Sequence, residues 1–182
     1  MTMPVEAKAT AAQGPSPWPW ILLATLAGAI VRVAPVLRAD FPLGDGGMFA
    51  SIVDEIRRTG DLIPTWITYN NLNAPFGYPP LSFVVTAGLD YLIPIGTVEW
   101  LRWIPLVASI ATVPAYSLLA SVLAPSRTHV VVATFVFALV PGSFEWLIMG
   151  GGLTRAPGFL LAILTLYLWI RFLKLGGRAW IG

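Results

Sequence analysis

The chain has 182 residues, of which 57% are hydrophobic and 11% are charged, and its mean hydropathy is +0.76. This composition is far more apolar than a soluble domain needs and indicates several long segments in a lipid bilayer. The formal charge of +2 is too small to indicate a nucleic-acid partner, the lack of cysteine excludes disulfides and thiolate chemistry, and the single histidine excludes a zinc site built mostly of imidazole.

The predicted elements begin with a polar tail and continue with apolar segments. Residues 1–17 are rich in Ala, Pro and Gly and have no apolar periodicity, so we predict a disordered cytoplasmic tail. Later apolar segments approach or exceed the ~20 residues needed to cross a hydrocarbon core. The first of them is longer than a signal-peptide core and lacks a convincing cleavage site, which predicts an uncleaved span. The predicted spans are residues 18–37, 98–123, 129–149 and 157–173. The predicted fold class is an all-α membrane protein, a multispanning helical bundle.

Residues 38–97 form a long polar outer loop between the first two predicted spans. A loop of this length is usually functional, because a simple connector needs only a few residues. Within it, residues 48–59 have an apolar and a charged face, which predicts a juxtamembrane helix lying in the interface plane. Residues 79–96 predict a short interfacial or re-entrant helix on which Asp90 reaches water, since a full span would hold that carboxylate near the bilayer centre.

The distribution of charge allows two membrane topologies. With four spans and a cytoplasmic N-terminus, every acid except Glu6 lies on or near the outer side, in agreement with the positive-inside tendency. Five spans with the N-terminus outside satisfy this tendency about equally well, because the arginines of the outer loop then lie inside. The short length of residues 79–96 and the position of Asp90 favour four spans.

Two features of the outer loop are candidates for chemistry. Asp45 lies in a Gly-Asp-Gly-Gly sequence, where small neighbours allow a substrate to approach the carboxylate. Local sequence alone favours the alternative that Asp45 is the N-cap of the following helix. Tyr78, Pro79 and Pro80 form a rigid turn ahead of an apolar helix, which is a common helix start and by itself implies no chemistry.

Three arginines are candidates for binding an anion. Arg32 and Arg102 lie in predicted spans, where basic side chains are costly and often mark binding sites. For Arg32 the alternative, in which the guanidinium snorkels to lipid phosphates, is at least as good. Arg155 follows a run of glycines in a predicted outer turn, where backbone N–H groups and a guanidinium would suit a phosphate, although such turns are common. Glu145 is the only acid near that turn.

The order of these features resembles the N-terminal part of a type-C (GT-C) membrane glycosyltransferase. Members of this fold carry an essential acid in a long first outer loop, matched here by Asp45, and many re-enter the bilayer at a motif like the Tyr-Pro-Pro-Leu of residues 78–81. The later half is similar to the catalytic subunit of oligosaccharyltransferases. The matching elements are residues 78–89 (YPPLSFVVTAGL), Arg102 early in a long span, 138–143 (ALVPGS) and 164–174 (LTLYLWIRFLK). The resemblance covers about residues 18–180 and rests on the order of short motifs.

The resemblance implies an enzyme that takes a sugar from a polyprenyl-phosphate carrier at the outer face of a prokaryotic plasma membrane. The reaction would be an inverting displacement in which Asp45 acts as general base, with Asp40 and Glu145 as reserve candidates. Arg155, Arg102 and Arg32 would bind and stabilise the departing lipid phosphate. The implied substrate groove includes Tyr78, Pro79 and Pro80. The acceptor would be a lipid, a glycan or a protein.

One departure from the family concerns the metal. Oligosaccharyltransferases place a second acidic motif, which helps to hold a divalent ion, where this chain has Gly152-Leu153-Thr154-Arg155. We therefore predict no cofactor and a metal-independent enzyme in which Arg155 replaces the ion, as in the protein mannosyltransferases and lipid A aminoarabinose transferases of the same fold. A Mn²⁺ or Mg²⁺ requirement is the open alternative.

Two other classes of function remain open at the level of the sequence. One is a transporter or channel subunit that uses buried charges as a pathway. The concentration of the acids in one outer loop argues against this alternative. The other is a non-catalytic sensor or assembly scaffold, which the lack of the second acidic motif keeps open. Because type-C enzymes usually have more spans and often a soluble C-terminal domain, we expect the 182 residues to be an N-terminal piece of a longer protein.

Overall fold

The computed structural model describes residues 16–40, 44–149 and 152–175. Most of the predicted tail, residues 1–15, therefore lies outside the described residues. The elements in chain order are α1 (Trp18–Arg38), α2 (Gly46–Thr59), β1 (Trp66–Tyr69), β2 (Leu72–Pro75), α3 (Leu81–Leu92), α4 (Thr97–Leu123), α5 (Arg127–Leu139), a 3₁₀ turn (Pro141–Ser143), α6 (Glu145–Ile148) and α7 (Gly152–Leu175). The two strands form an antiparallel hairpin in which Trp66 is opposite Pro75.

Three helices are long and apolar enough to cross a membrane, over Trp18–Arg38, Thr97–Leu123 and Gly152–Lys174. Helices α3 and α5 are apolar but shorter. The described chain is thus a mostly helical protein with candidate membrane-spanning helices, as the composition predicts. The hairpin in the loop between α1 and α4 is an addition to the predicted all-α architecture.

Residues 129–149, predicted as one span, do not form a continuous helix. Helix α5 has 13 residues, which corresponds to about 20 Å and is shorter than a typical hydrocarbon core of about 30 Å. It ends because Pro141 has no N–H and disfavours a helical conformation at the residue before it. Val140 is accordingly extended, with φ −70° and ψ 120°. The chain then makes the 3₁₀ turn and the short helix α6.

Helix α4 is the centre of the bundle and packs against α1, α5 and α7. Arg102, early in α4, bonds the carbonyl of Val36 near the end of α1, so these two helices are antiparallel. Lys174, near the end of α7, bonds the carbonyl of Val122 near the end of α4, so these two are parallel. The bundle therefore has a loop end, which holds Arg38, Thr97 and Gly152, and a turn end, which holds Trp18, Leu123 and Lys174.

The loop between α1 and α4 packs on the loop end of the bundle. The apolar face of α2 is buried against protein, in a cluster with residues of β1, α3, α4 and α7. The prediction that α2 is a helix is confirmed, whereas its position in the interface plane stays a prediction. Helix α2 ends at Gly60, whose φ of +73° is a left-handed conformation that glycine adopts without strain. The Thr97 hydroxyl donates to Asp54 at 2.7 Å and ties α2 to the first residue of α4.

The prediction that Asp90 reaches water is wrong. Its side chain is only 1% exposed. One carboxylate oxygen lies 2.6 Å from Nη1 of Arg57, and the other accepts a hydrogen bond from the Gly96 N–H at 2.8 Å. Helix α2 lies over α3 and supplies Arg57, which compensates the buried carboxylate. A partner from another element of the loop cannot be recognised from the periodicity of residues 79–96.

We expect Asp90→Asn to lower the free energy of unfolding by about 1–2 kcal/mol, because the buried ion pair is lost while a hydrogen-bond acceptor for Gly96 remains. Thermal unfolding of the detergent-purified protein measures this. Glu55→Gln is the matched control, since it removes the partner of Arg58, a more exposed arginine of the same helix. The hydrogen bond and the charge of Glu55 raise the pKa of Arg58. The control should change stability little, and equal effects of the two variants would contradict the account.

Candidate functional site

A cavity of about 440 Å³ opens at the loop end of the bundle. Its walls are the end of α1, the start of α4, and the segment from Phe144 through α6. The lining residues are Pro35, Val36, Ala39, Leu101, Arg102, Phe144, Glu145, Trp146, Ile148 and Met149. Apart from Arg102 and Glu145 these side chains are apolar, which fits a ligand with an apolar part and a small anionic or polar part.

The α6 wall of this cavity depends on close packing with the start of α7. The Gly152 N–H donates to the Met149 carbonyl at 2.6 Å. A Cβ atom on Gly152 would lie 1.9 Å from the carbonyl oxygen of Leu147 and 3.0 Å from Cβ of Pro105. Only glycine allows the backbones of α6 and α7 to approach this closely. Backbone packing therefore requires glycine at position 152, independently of any role in phosphate binding.

Arg32 holds the break between α5 and α6 in place. Its guanidinium donates to the carbonyl oxygens of Gly28 (3.0 Å) and Ala138 (2.6 Å) and to the hydroxyls of Ser109 and Ser143, both at 3.2 Å. Its centre lies 4.5 Å from the ring centroid of Phe144, a residue of the cavity wall. The side chain is 0% exposed, so it does not snorkel to lipid phosphates. Its contacts with the protein favour a packing role over donor binding.

Arg102 is the cationic group on the cavity wall. Its Nη1 donates to Glu99 at 2.9 Å and its Nη2 to the Val36 carbonyl at 2.8 Å. Its Nε is buried and makes no hydrogen bond with the described residues. A buried N–H without a partner is costly, and Arg102 as a residue belongs to the lining of the cavity.

Glu145 lines the cavity on its α6 side, and Arg155 contacts Trp146, another residue of that side. Glu145 is exposed at the start of α6 and belongs to the lining. The Arg155 guanidinium stacks on the ring of Trp146, 5.7 Å from its centroid. Arg155 lies in the first turn of α7, which starts at Gly152, rather than in a glycine-rich turn. Residues 150 and 151, the other glycines of the predicted turn, lie outside the described residues.

Asp40 and Asp45, two of the candidate catalytic acids, lie near this end of the bundle but not in the cavity lining. Asp45 occupies the N-cap position of α2, yet its exposed side chain makes no capping hydrogen bond. Asp45 therefore lies at the N-cap position, as the alternative predicts, but its carboxylate does not bond the backbone N–H groups of the helix. Asp40 is exposed and directly follows Ala39, which lines the cavity. Residues 41–43 between these acids lie outside the described residues.

The turn predicted to line a substrate groove takes part in the packing of the loop between α1 and α4. The Tyr78 ring makes edge contacts with Phe49 and Phe83, with centroids 4.9 and 6.1 Å apart. Pro80 is the residue before α3, and Pro79 is exposed. None of Tyr78, Pro79 and Pro80 is among the residues that line the cavity.

The aromatic wall of the site was missed at the level of the sequence. Phe144 and Trp146 lie inside the segment predicted as a single span, where the sequence does not distinguish a residue of a cavity wall from one that faces lipid. The signal that could have identified them is the Pro141-Gly142 pair, which breaks helices.

Within the described ranges, no three histidine, aspartate or glutamate side chains form a group that could hold a metal ion. Asp40, Asp45 and Glu145 belong to no such group among these residues.

No protein-family model, curated protein or solved structure matches this chain.

Proposed function

We propose that this protein is a membrane glycosyltransferase, or part of one, that takes a sugar from a polyprenyl-phosphate donor at the loop end of the bundle. The observation that carries the proposal is the amphipathic cavity with Arg102 on its wall and Glu145 at its edge. A polyprenyl-phosphate sugar has the matching chemistry, since an apolar chain, a phosphate and a polar sugar follow each other in one molecule. The outer-face location and the prokaryotic plasma membrane are part of the proposal.

In this proposal Arg102 binds the phosphate of the donor. Arg102 lies on the cavity wall and supplies the positive charge for a charge-assisted hydrogen bond to the phosphate, and its ion pair with Glu99 fixes the direction of the guanidinium. Arg155, which stacks on Trp146 beside the cavity, supplies a second positive charge. Negative charge grows on the phosphate as the bond to the sugar breaks, so cations fixed in advance stabilise the transition state more than the bound donor.

The acceptor must lose a proton as it attacks the anomeric carbon. A carboxylate takes this proton, the acceptor oxygen or nitrogen forms the new bond to the sugar, and the lipid phosphate leaves with the electrons of the broken bond. We assign the carboxylate to Asp45, as the resemblance implies, with Asp40 and Glu145 in reserve. The lack of a capping hydrogen bond supports Asp45, because its carboxylate is not engaged by the helix. The position of Glu145 on the cavity lining supports Glu145 as the first substitute.

The contacts of Arg32 count against the transporter alternative. A charge that serves a pathway must be accessible to the transported species at some stage. Arg32 is instead completely buried and bound to α1, α4, α5 and the 3₁₀ turn. A non-catalytic scaffold would use the same contacts and is separated from an enzyme by ligand binding and turnover.

We expect Arg102→Gln to weaken binding of a short-chain polyprenyl phosphate about tenfold or more, because a charge-assisted hydrogen bond to phosphate is worth about 1.5–3 kcal/mol. Binding is measured on the purified protein by competition with a photoactivatable prenyl phosphate. A prenyl alcohol of equal length should bind weakly to both proteins.

Arg38→Gln is the matched control, because Arg38 is an exposed arginine at the same end of the bundle and is not in the cavity lining. Equal binding by wild type and Arg102→Gln, or equal loss in Arg38→Gln, would contradict the assignment. If the photoactivatable prenyl phosphate crosslinked to residues away from Phe144–Met149, the donor would bind at a different site.

A further inference from the structure

A second cavity, of about 420 Å³, opens at the turn end of the bundle. It lies between the start of α1, the end of α4 and the start of α5. The lining residues are Pro17, Trp18, Ile21, Ser117, Leu118, Ser121, Ala124, Pro125, Ser126, Arg127 and Val130. It shares no residue with the cavity at the loop end, so it is a separate site.

The lining combines buried residues, among them Ser117, with a polar exposed rim. Ile21 and Val130 are buried between the helices, whereas Ser126 and Arg127 are exposed at the rim. Trp18, the first residue of α1, is 61% exposed. Tryptophan and arginine at the end of membrane helices are typical of the headgroup level, where one part of the side chain is apolar and the other is wet. The cavity therefore opens where a phospholipid carries its glycerol and phosphate.

The charge of the turn end also indicates the ligand. Arg127, Arg171 and Lys174 are exposed at or near this end, and Lys174 donates to the carbonyl of Val122 in the last turn of α4. The described acids all lie in the outer loop, in the first turn of α4 or in α6, which is the loop end of the bundle. Clusters of positive charge between or beside membrane helices attract anionic headgroups.

We propose that the turn-end cavity binds the headgroup of an anionic phospholipid. Arg127 binds the phosphate, and the acyl chains run over Ile21 and Val130 between the helices. A net negative lipid is favoured over a zwitterionic one, because the ammonium of a zwitterionic headgroup would face the cations of this end. The proposal does not depend on the glycosyltransferase assignment, since the two cavities are at opposite ends.

Native mass spectrometry of the delipidated protein tests this proposal. The probes are short-chain phosphatidylglycerol, phosphatidylcholine of the same chain length, and glycerol phosphate without acyl chains. We expect phosphatidylglycerol to bind tightest and Arg127→Gln to weaken it about tenfold, the effect of losing one charge-assisted hydrogen bond. Arg38→Gln, at the loop end, should leave binding unchanged.

A second variant blocks the cavity without changing its charge. Ala124→Phe places a ring in the cavity and should reduce phosphatidylglycerol binding even though Arg127 remains; thermal unfolding of each variant shows that it is folded. Equal binding of the two lipids, or unchanged binding in both Arg127→Gln and Ala124→Phe, would overturn the proposal. Tight binding of glycerol phosphate alone would mean that the site holds a soluble phosphate and not a lipid.

Discussion

Arg32→Leu is expected to lower the free energy of unfolding by about 3–5 kcal/mol, because several buried acceptors lose their donor together. The Ala138 carbonyl is one of the last four of α5 and has no partner within the helix. Arg32 supplies that partner at 2.6 Å and bonds Ser109 and Ser143 at the same time. Unfolding in mixed detergent micelles, followed by circular dichroism, measures the loss.

Two further variants separate the geometry of Arg32 from its charge. Arg32→Lys keeps the charge but offers a single nitrogen, which cannot reach both α4 and the 3₁₀ turn, so we expect most of the loss to remain. Arg38→Leu removes an exposed arginine at the end of the same helix and should change stability by less than about 0.5 kcal/mol. Wild-type stability in Arg32→Lys would show that charge alone is required and would contradict the packing role.

Gly152→Ala is expected to cost about 3 kcal/mol or more, because its methyl group would overlap backbone and force α6 away from α7. The methyl carbon would lie 1.9 Å from the Leu147 carbonyl oxygen and 2.7 Å from the carbonyl carbon. Helix α6 carries Glu145 and Trp146, so the cavity wall should move as well. The same unfolding measurement detects the cost, and the prenyl phosphate competition detects loss of the wall.

Gly158→Ala is the control within the same helix. A Cβ at Gly158 meets nothing within 4 Å, and alanine is the better helix former by about 1 kcal/mol. The two glycine variants should therefore change stability in opposite directions. A neutral Gly152→Ala would mean that α6 and α7 are not packed as described, and the α6 wall of the cavity would have to be redrawn.

The sequence predicts the bounds of the helices in this protein better than it predicts the contacts between their side chains. Helices α1 and α4 begin and end within one residue of the predicted spans, because length and hydropathy are local properties. The break after Leu139 was missed because the apolar run continues through it, and the weaker Pro141-Gly142 signal was outweighed. Hydropathy alone does not separate one long helix from two short ones.

The candidate site was predicted in part. Arg102 and Glu145 were selected separately, and both line one cavity. Arg32 was selected as a candidate phosphate ligand, whereas its contacts are with the protein. Its bond to Ala138 joins residues 106 positions apart, and no periodicity within a helix predicts such a contact. The burial of Asp90 was missed for the same reason, since its partner Arg57 lies in another helix.

The most direct test of the central claim is a transfer assay on the whole protein in membranes, with a radiolabelled polyprenyl-phosphate sugar and with or without EDTA. We predict that the wild type transfers the sugar, that Asp45→Asn loses this activity while keeping the wild-type unfolding temperature, and that EDTA has no effect. Activity that EDTA abolishes and Mn²⁺ or Mg²⁺ restores would contradict the metal-independent reaction. Undiminished transfer by Asp45→Asn would move the proton acceptor to Glu145 or Asp40. No transfer by the wild type with any of several donors, together with no binding of prenyl phosphate, would contradict the glycosyltransferase itself.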